Sequence, residues 1–335
     1  MPLGRTDTRV LLTGARGFVG PYVAEALHRV CGGGISLIAT SKQAGEHPVF
    51  GSVEALDVSN KSAVEATILQ HAPTHIIHLA GIAAPTAASA DPDTAWRVHV
   101  HGARNLAMAI LSHAPDCWLF HVGSGMVYGE TAKSGLPLGE GALLSPLDEY
   151  SVTKAAADLA LGALTRQGLK CVRFRPFNHT GAGQSDAFVV PAFARQVAMI
   201  EAGLCPPIIR VGNLEAERDF LDVRDVAKAY AMAVRASSSL EPGTILNIAS
   251  GLPRRIETIL LDLLAQSRIE IAIEQDQERL RPSDLPRIIG DASRAHELLG
   301  WTPEYTFEDA LAFVLNDWRD SVIKSQKASL IGKND

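Results

Sequence analysis

The chain has 335 residues, is 47% hydrophobic and 20% charged, and carries a formal net charge of −6. That length suits one large or two modest domains burying about three quarters of the unfolded surface. The acidic balance and the lack of a Lys/Arg cluster interleaved with aromatics argue against a nucleic-acid partner. No apolar run approaches ~18 residues, so no membrane span is expected. The first residues lack the apolar core of a signal peptide. The four cysteines (Cys31, Cys117, Cys171, Cys205) are scattered without a Cys-x-x-Cys pair. A reduced, cytoplasmic protein is the expectation.

The first apolar run, Val10 to Leu12, reads as a buried strand. Residues 21–30 read as a helix with Val23, Ala26, Leu27 and Val30 on one face, and Pro21 suits its first turn. Between them stand Gly14, Gly17 and Gly20. Glycines there permit a tight turn and close backbone approach, so a pyrophosphate can sit on the helix N-terminus. Further strands are predicted at 36–39, 53–56, 75–79, 118–122 and 171–174, with helices at 62–71, 94–113 and 151–166. Such alternation predicts a parallel sheet covered on both faces. After Pro176 the pattern breaks. A Gly/Asn/His loop (178–184) precedes predicted helices at 191–202 and 222–236, a strand at 244–248, and helices at 256–266 and 307–319. The expected fold is a Rossmann-type doubly wound α/β sheet with a smaller, discontinuous C-terminal α/β lobe. Its division is 8–178 plus 219–250 for the cofactor, 179–218 plus 251–320 for the substrate, and a flexible tail at 321–335.

Tyr150 and Lys154 lie four residues apart ahead of an Ala-rich run, which places them on one helical face. A lysine so placed can hold a phenol's pKa down and make it an acid/base group. The pairing alone is weak evidence. It gains weight beside the glycine loop.

With both motifs present, the chain resembles the extended short-chain dehydrogenases/reductases acting on nucleotide sugars, the NAD-dependent epimerase/dehydratase family, from about Arg9 to Trp318. Ser124, Tyr150 and Lys154 are similar to that family's catalytic set. The stretches 175–184, 211–220 and 280–284 resemble the GDP-sugar branch, which holds both 4,6-dehydratases and 4-ketoreductases. In the dehydratases an acid stands two residues before the tyrosine of a Val/Leu-Tyr-Gly motif. Here Met126 takes that place, and a thioether cannot shuttle a proton. The resemblance therefore implies reduction of the 4-keto group of GDP-4-dehydro-6-deoxy-D-mannose to GDP-D-rhamnose or GDP-6-deoxy-D-talose. Tyr150 would be the proton donor, Ser124 would bond the same oxygen, and Lys154 would anchor the ribose and lower the Tyr150 pKa. A nucleotide-sugar 4-epimerase retaining NAD is the alternative.

Cofactor choice follows from charge. Thr40, Ser41 and Lys42 stand where NAD-preferring folds carry an acid, and Arg16 lies inside the glycine loop. Two cations and two hydroxyls favour the 2′-phosphate of NADP(H), with NAD(H) possible. Asp57 resembles the residue facing the adenine; alternatively it caps the helix after Ser59. The resemblance adds Phe18, Val19, Val58, Leu79, Ala80, Gly81 and Phe177 to the cofactor site. For the substrate it implies Ser124, Met126, Asn178, Val189 and Val190. Arg218 and Arg281 suit a diphosphate, unless they pair with acids such as Asp219 or Asp284. Asn213 and Asp284 are candidates for the guanine edge. His75 and His78 fall on opposite faces of one strand, and no metal site is expected. His99 stands where the family usually has a supporting Asn, and Ala83-Ala84-Pro85 departs from the family pattern near the sugar. By resemblance, the helices 94–113 and 151–166 would form a four-helix bundle in a homodimer.

Overall fold

Val10, Leu11 and Leu12 are fully inaccessible to solvent, the condition of a strand covered on both faces. The computed structural model, which describes residues 8–279 and 285–331, places them in β1 (Thr8–Thr13). Then come α1 (Gly20–Cys31), β2 (Ile35–Ser41), β3 (Gly45–His47), β4 (Gly51–Ala55), α2 (Lys61–His71), β5 (His75–His78), α3 (Pro85–Ala90) and α4 (Pro92–Ala95). A π-helical segment (Trp96–Gly102) leads into α5 (Ala103–His113), β6 (Trp118–Val122), a 3₁₀ segment (Gly125–Ser134), α6 (Glu149–Leu164), β7 (Lys170–Pro176) and β8 (Asn178–Thr180). The chain continues through α7 (Val189–Glu201), β9 (Ile208–Val211), β10 (Glu217–Asp222), α8 (Val223–Arg235), β11 (Ile245–Ile248), β12 (Pro253–Arg255) and α9 (Ile256–Ala265). It closes with β13 (Ala272–Gln275), β14 (Arg287–Ile288), α10 (Ser293–Leu299) and α11 (Phe307–Ile331).

The main sheet runs β11-β7-β6-β5-β1-β2-β4-β3. Its pairs are parallel except for the β3–β4 hairpin. This is the doubly wound Rossmann-type arrangement. After β1 the chain goes to β2 on one side and later to β5 on the other. The crevice beyond the carboxyl ends of β1 and β5 is therefore the topological switch point, where such sheets bind ligands. One face of the sheet packs on α1 and α8 through Val23, Leu27, Phe174 and Tyr230. The other packs on α2, α5 and α6 through Ile76, Leu106, Leu119 and Leu161. A separate apolar cluster joins α7, α9 and α11 through Phe193, Val197, Leu260, Leu311 and Val314. His75 and His78 do face opposite sides: His75 stacks on Phe120, while His78 bonds Thr13 and approaches His121.

Two boundaries differ from the sequence reading. The segment 94–113 is not one α-helix. Asp91 caps Thr94 at 3.0 Å, and the π segment then rotates His99 into the interior, where it is 2% exposed. Gly102 ends that segment against Val58, where an added Cβ would lie 2.7 Å from a methyl group. The last helix runs to Ile331 rather than ending at Arg319, so the tail expected at 321–335 is helical as far as that residue. No proline or glycine interrupts it, and Val322 carries its buried seam a further turn. The short strands β8, β10, β12 and β14 were not legible. β10 reads Glu-Arg-Asp-Phe-Leu-Asp, a charged run that becomes a strand only through its partners.

Candidate active site

The first turn of α1 has no side-chain cap, which leaves its N–H groups for an anion. The three glycines make that approach possible. Gly14 has φ +71°, and a Cβ there would lie 2.7 Å from the Ala80 nitrogen. At Gly20 a Cβ would lie 2.0 Å from the Ala15 carbonyl oxygen, and at Gly17 3.1 Å from that of Gly14. Leu79 and Ala80, in the loop after β5, thus pack directly on the glycine turn, while Gly81 faces His99 and Lys154. Phe18 and Val19 are half-buried on it; the Phe18 ring lies parallel to His179 at 6.2 Å.

Beyond β2, Arg16 and Lys42 are exposed and Ser41 half-buried. The Arg16 guanidinium lies over Gly45, 3.3 Å from where a Cβ would stand. Thr40 is different: it is 1% exposed and its hydroxyl donates to the Leu12 carbonyl at 3.2 Å. That side chain knits β2 to β1. Asp57 does not cap α2. Asn60 does, accepting from Ala63 N at 3.1 Å, while Asp57 accepts from the amide and hydroxyl of Ser59 at 2.9 and 2.7 Å. Those bonds and the nearby Lys42 and Arg97 lower its pKa against the effect of burial. Val58 is buried against Gly102.

Asp148 caps α6 by accepting from Ser151 N at 2.7 Å, which places Tyr150 and Lys154 on successive turns at its start. Ser124 follows β6, is 6% exposed, and accepts from Met126 N at 3.1 Å. Its hydroxyl also bonds the Tyr150 phenol. The expected lowering of the Tyr150 pKa by Lys154 is corrected here. Burial raises the phenol, opposed by the Ser124 bond, because Lys154 Nζ turns instead to the Val122 carbonyl at 3.1 Å. Lys154 itself is 7% exposed, and desolvation lowers it to about 8.

His99 fills the place of the expected Asn and makes its own bridge. Its Nε2 accepts from Ile82 N at 2.9 Å, which leaves the proton on Nδ1, 2.8 Å from the Thr153 hydroxyl. The imidazole meets the Tyr150 ring edge-on at 5.8 Å. A Cβ on Gly81 would stand 3.3 Å from both His99 Nε2 and Lys154 Nζ. Burial and the adjacent Lys154 charge push His99 down to about 3, so it is a neutral strut between α6 and the loop after β5.

Met126 is half-buried and packs in a cluster with Val127, Tyr128 and Phe177. The Phe177 ring sits 2.9 Å from where a Gly125 Cβ would be, so it backs the segment that carries Ser124 and Met126. Asn178 lies beside Phe220 in the β8–β10 pair. Val189 and Val190 open α7; Val190 is 1% exposed in the second core. Arg218, half-buried, donates to the Glu217 carbonyl at 2.8 Å. Its neighbour Asp219 serves four donors: Ser250 N and Oγ, Gly251 N and Gly290 N. Asn213 lines a cleft of about 510 Å³ with Glu215, Arg255, Glu257 and Gln275. Glu257 pairs there with Arg255 at 3.2 Å. Arg281 and Asp284 lie outside the described residues. Among the described residues no group of three or more His, Cys, Asp or Glu could hold a metal, and no helix is long and apolar enough to cross a membrane.

The model of the NAD dependent epimerase/dehydratase family matches residues 10–249. The chain is 36% identical, over 75% of its length and 82% of the relative's, to a GDP-6-deoxy-D-mannose reductase of Pseudomonas aeruginosa. It is 25% identical to a GDP-6-deoxy-D-talose 4-dehydrogenase of Aggregatibacter actinomycetemcomitans, over 94% of this chain and 99% of that one. A solved structure of RMD from Pseudomonas aeruginosa complexed with NADPH superposes with a TM-score of 0.82 and 30% identity. It covers 94% of this chain and 99% of the other.

Proposed function

This chain belongs to the NAD dependent epimerase/dehydratase family, and we propose on that footing that it is a GDP-sugar 4-ketoreductase. The substrate is GDP-4-dehydro-6-deoxy-D-mannose and the product GDP-D-rhamnose or its C4 epimer, GDP-6-deoxy-D-talose. The observation that carries the reading is Met126 beside Ser124, Tyr150 and Lys154. The site keeps a proton donor for a ketone oxygen and has a thioether where a dehydratase needs an acid. The reading is supported by two relatives that are by name a GDP-6-deoxyhexose reductase and a GDP-6-deoxyhexose 4-dehydrogenase.

When bound, reduced nicotinamide supplies the hydride. The chain's residues do the rest. The glycine turn and the uncapped start of α1 receive the pyrophosphate. Lys154 would hold the ribose. Tyr150, held protonated by burial, gives its proton to the oxygen at C4, and Ser124 donates to the same oxygen as negative charge builds there. Arg16 and Lys42, with Ser41, hold a 2′-phosphate, which makes NADPH the preferred donor. Arg218 and Asn178 face the diphosphate and hexose, and acids of the 510 Å³ cleft accept from the guanine N1–H and N2–H. Freshly prepared GDP-4-keto-6-deoxy-mannose should drive rapid NADPH oxidation, slower with NADH, and NMR of the product gives the C4 configuration. Failure of both cofactors sinks the reading.

We also read the α5 and α6 faces, where Leu159 is 60% exposed, as the contact of a homodimer. Light scattering should then give twice the 35.7 kDa chain mass; a monomer at micromolar concentration sinks it.

A further inference from the structure

His121 is 2% exposed, and neither of its ring nitrogens has a hydrogen-bond partner among the described residues. The Arg173 Nε is in the same condition. These are not scattered defects. His78, His121 and Arg173 are register neighbours on β5, β6 and β7. They share the sheet face whose preceding row, Ile76, Leu119 and Cys171, forms the core under α6. The His78 and His121 rings lie 5.5 Å apart. Where this row meets α6 stands Lys154, which spends one donor on Val122, the residue next to His121. An ammonium has three donors.

An unpaired ring nitrogen in an apolar interior carries its full desolvation cost. Such groups are ordinarily met by an internal water that finds two to four polar partners. The donor pattern suits one. Lys154 Nζ can only donate, His121 can accept at one nitrogen, and a water accepts from the first and donates to the second. His78 is already engaged, with Nδ1 2.8 Å from the Thr13 hydroxyl.

We propose that an ordered internal water, held between His121 and the Lys154 ammonium in the layer between the sheet and α6, positions Lys154 for the nicotinamide ribose. His121 is then a positioning residue of the reductase, acting through Lys154 and touching neither substrate nor cofactor. Its catalytic meaning rests on the reductase reading above. The titratable groups that feel the Lys154 charge are His78 from β5, His121 from β6 and His99 from the π segment; Tyr150 and Asp158 lie one turn to either side of it on α6. The three imidazoles are held neutral by burial. The water is therefore the group that solvates the ammonium from below.

The test compares wild type, His121→Phe and His121→Gln in the full chain. Phenylalanine keeps the ring shape and removes both polar atoms; glutamine keeps groups that can hold a water. NADPH affinity is followed by fluorescence against pH, and kcat/KM by NADPH oxidation. Removing the water favours the neutral amine. In His121→Phe the alkaline limb of both profiles should move down by about one pH unit, a roughly tenfold loss above the Lys154 pKa, with Tm unchanged or raised. His121→Gln should restore the wild-type limb. Superimposable Phe and wild-type profiles overturn the proposal. So does a loss that tracks a lower Tm and is not rescued by Gln, since that marks a merely structural role. A high-resolution crystal structure with protein atoms filling the space between His121 and Lys154 would also overturn it. Because NADPH binding needs no sugar, failure of the reductase reading would appear separately, as absent turnover in all three proteins.

Discussion

Tyr150→Phe is expected to lower kcat for the 4-keto sugar by about 10²–10⁴-fold, the range for removing a positioned proton donor. NADPH binding and Tm should stay near their wild-type values. The phenol's polar neighbour is the Ser124 hydroxyl, and Ser124 keeps its contact with Met126 N, so little structure depends on the phenol. The pH dependence has a definite sign. Burial raises Tyr150 above its ordinary value of 10.0, so the donor stays protonated through neutral pH. Desolvation lowers Lys154 to about 8, so Lys154 is the first of the two to lose its proton as pH rises. Wild-type kcat/KM should therefore fall above a pH of about 8. In Tyr150→Phe the residual rate should keep that limb, since Lys154 is intact. Measuring kcat, NADPH Kd and both profiles together decides the matter. A variant within about threefold of wild type would remove Tyr150 from the proton-donor role.

Asp158→Ala is expected to destabilise the fold by about 3–5 kcal/mol. Asp158 is 1% exposed and lies one turn beyond Lys154 on α6. It accepts from Arg173 Nη1 at 2.7 Å, Arg175 Nε at 3.0 Å and Arg175 Nη2 at 3.1 Å. Arg175 is itself buried and reaches the Tyr128 hydroxyl, which donates to Asn247. Removing the carboxylate leaves two guanidiniums without their shared anion inside the protein, the costly half of breaking a buried ion pair. The same contact pins α6, which carries Tyr150 and Lys154, to β7, so activity should fall along with stability. Asp158→Asn, which keeps two acceptor lone pairs on its oxygen, should cost less. Urea unfolding of the three proteins gives the ordering. A loss below about 1 kcal/mol for the alanine variant would show that this cluster behaves like an exposed pair.

Asp219, on β10, shows how differently a buried acid can be used. It accepts from the neutral donors of Ser250, Gly251 and Gly290, and burial raises its pKa. The alternative in which Arg218 pairs with Asp219 rested on adjacency in the chain. In a strand, successive side chains point to opposite faces.

What the sequence by itself determined lies where function and backbone share one local segment. The glycine turn was legible because Gly14, Gly17 and Gly20 are demanded by contacts within a few residues and by one loop. The main strands were legible because residues buried on both faces form apolar runs. Tyr150 and Lys154 were legible because a helix places i and i+4 together whatever surrounds it. Tertiary structure alone decided the rest. Thr40 turned its hydroxyl to Leu12, and Asn60 capped the helix offered to Asp57. The π segment swung His99 between Ile82 and Thr153, and burial set the Tyr150 and Lys154 pKa values against the simple pairwise expectation. The physical reason is common to all of these. Hydrogen-bond choice and desolvation depend on atoms brought from distant parts of the chain, whereas turn geometry and helical spacing do not.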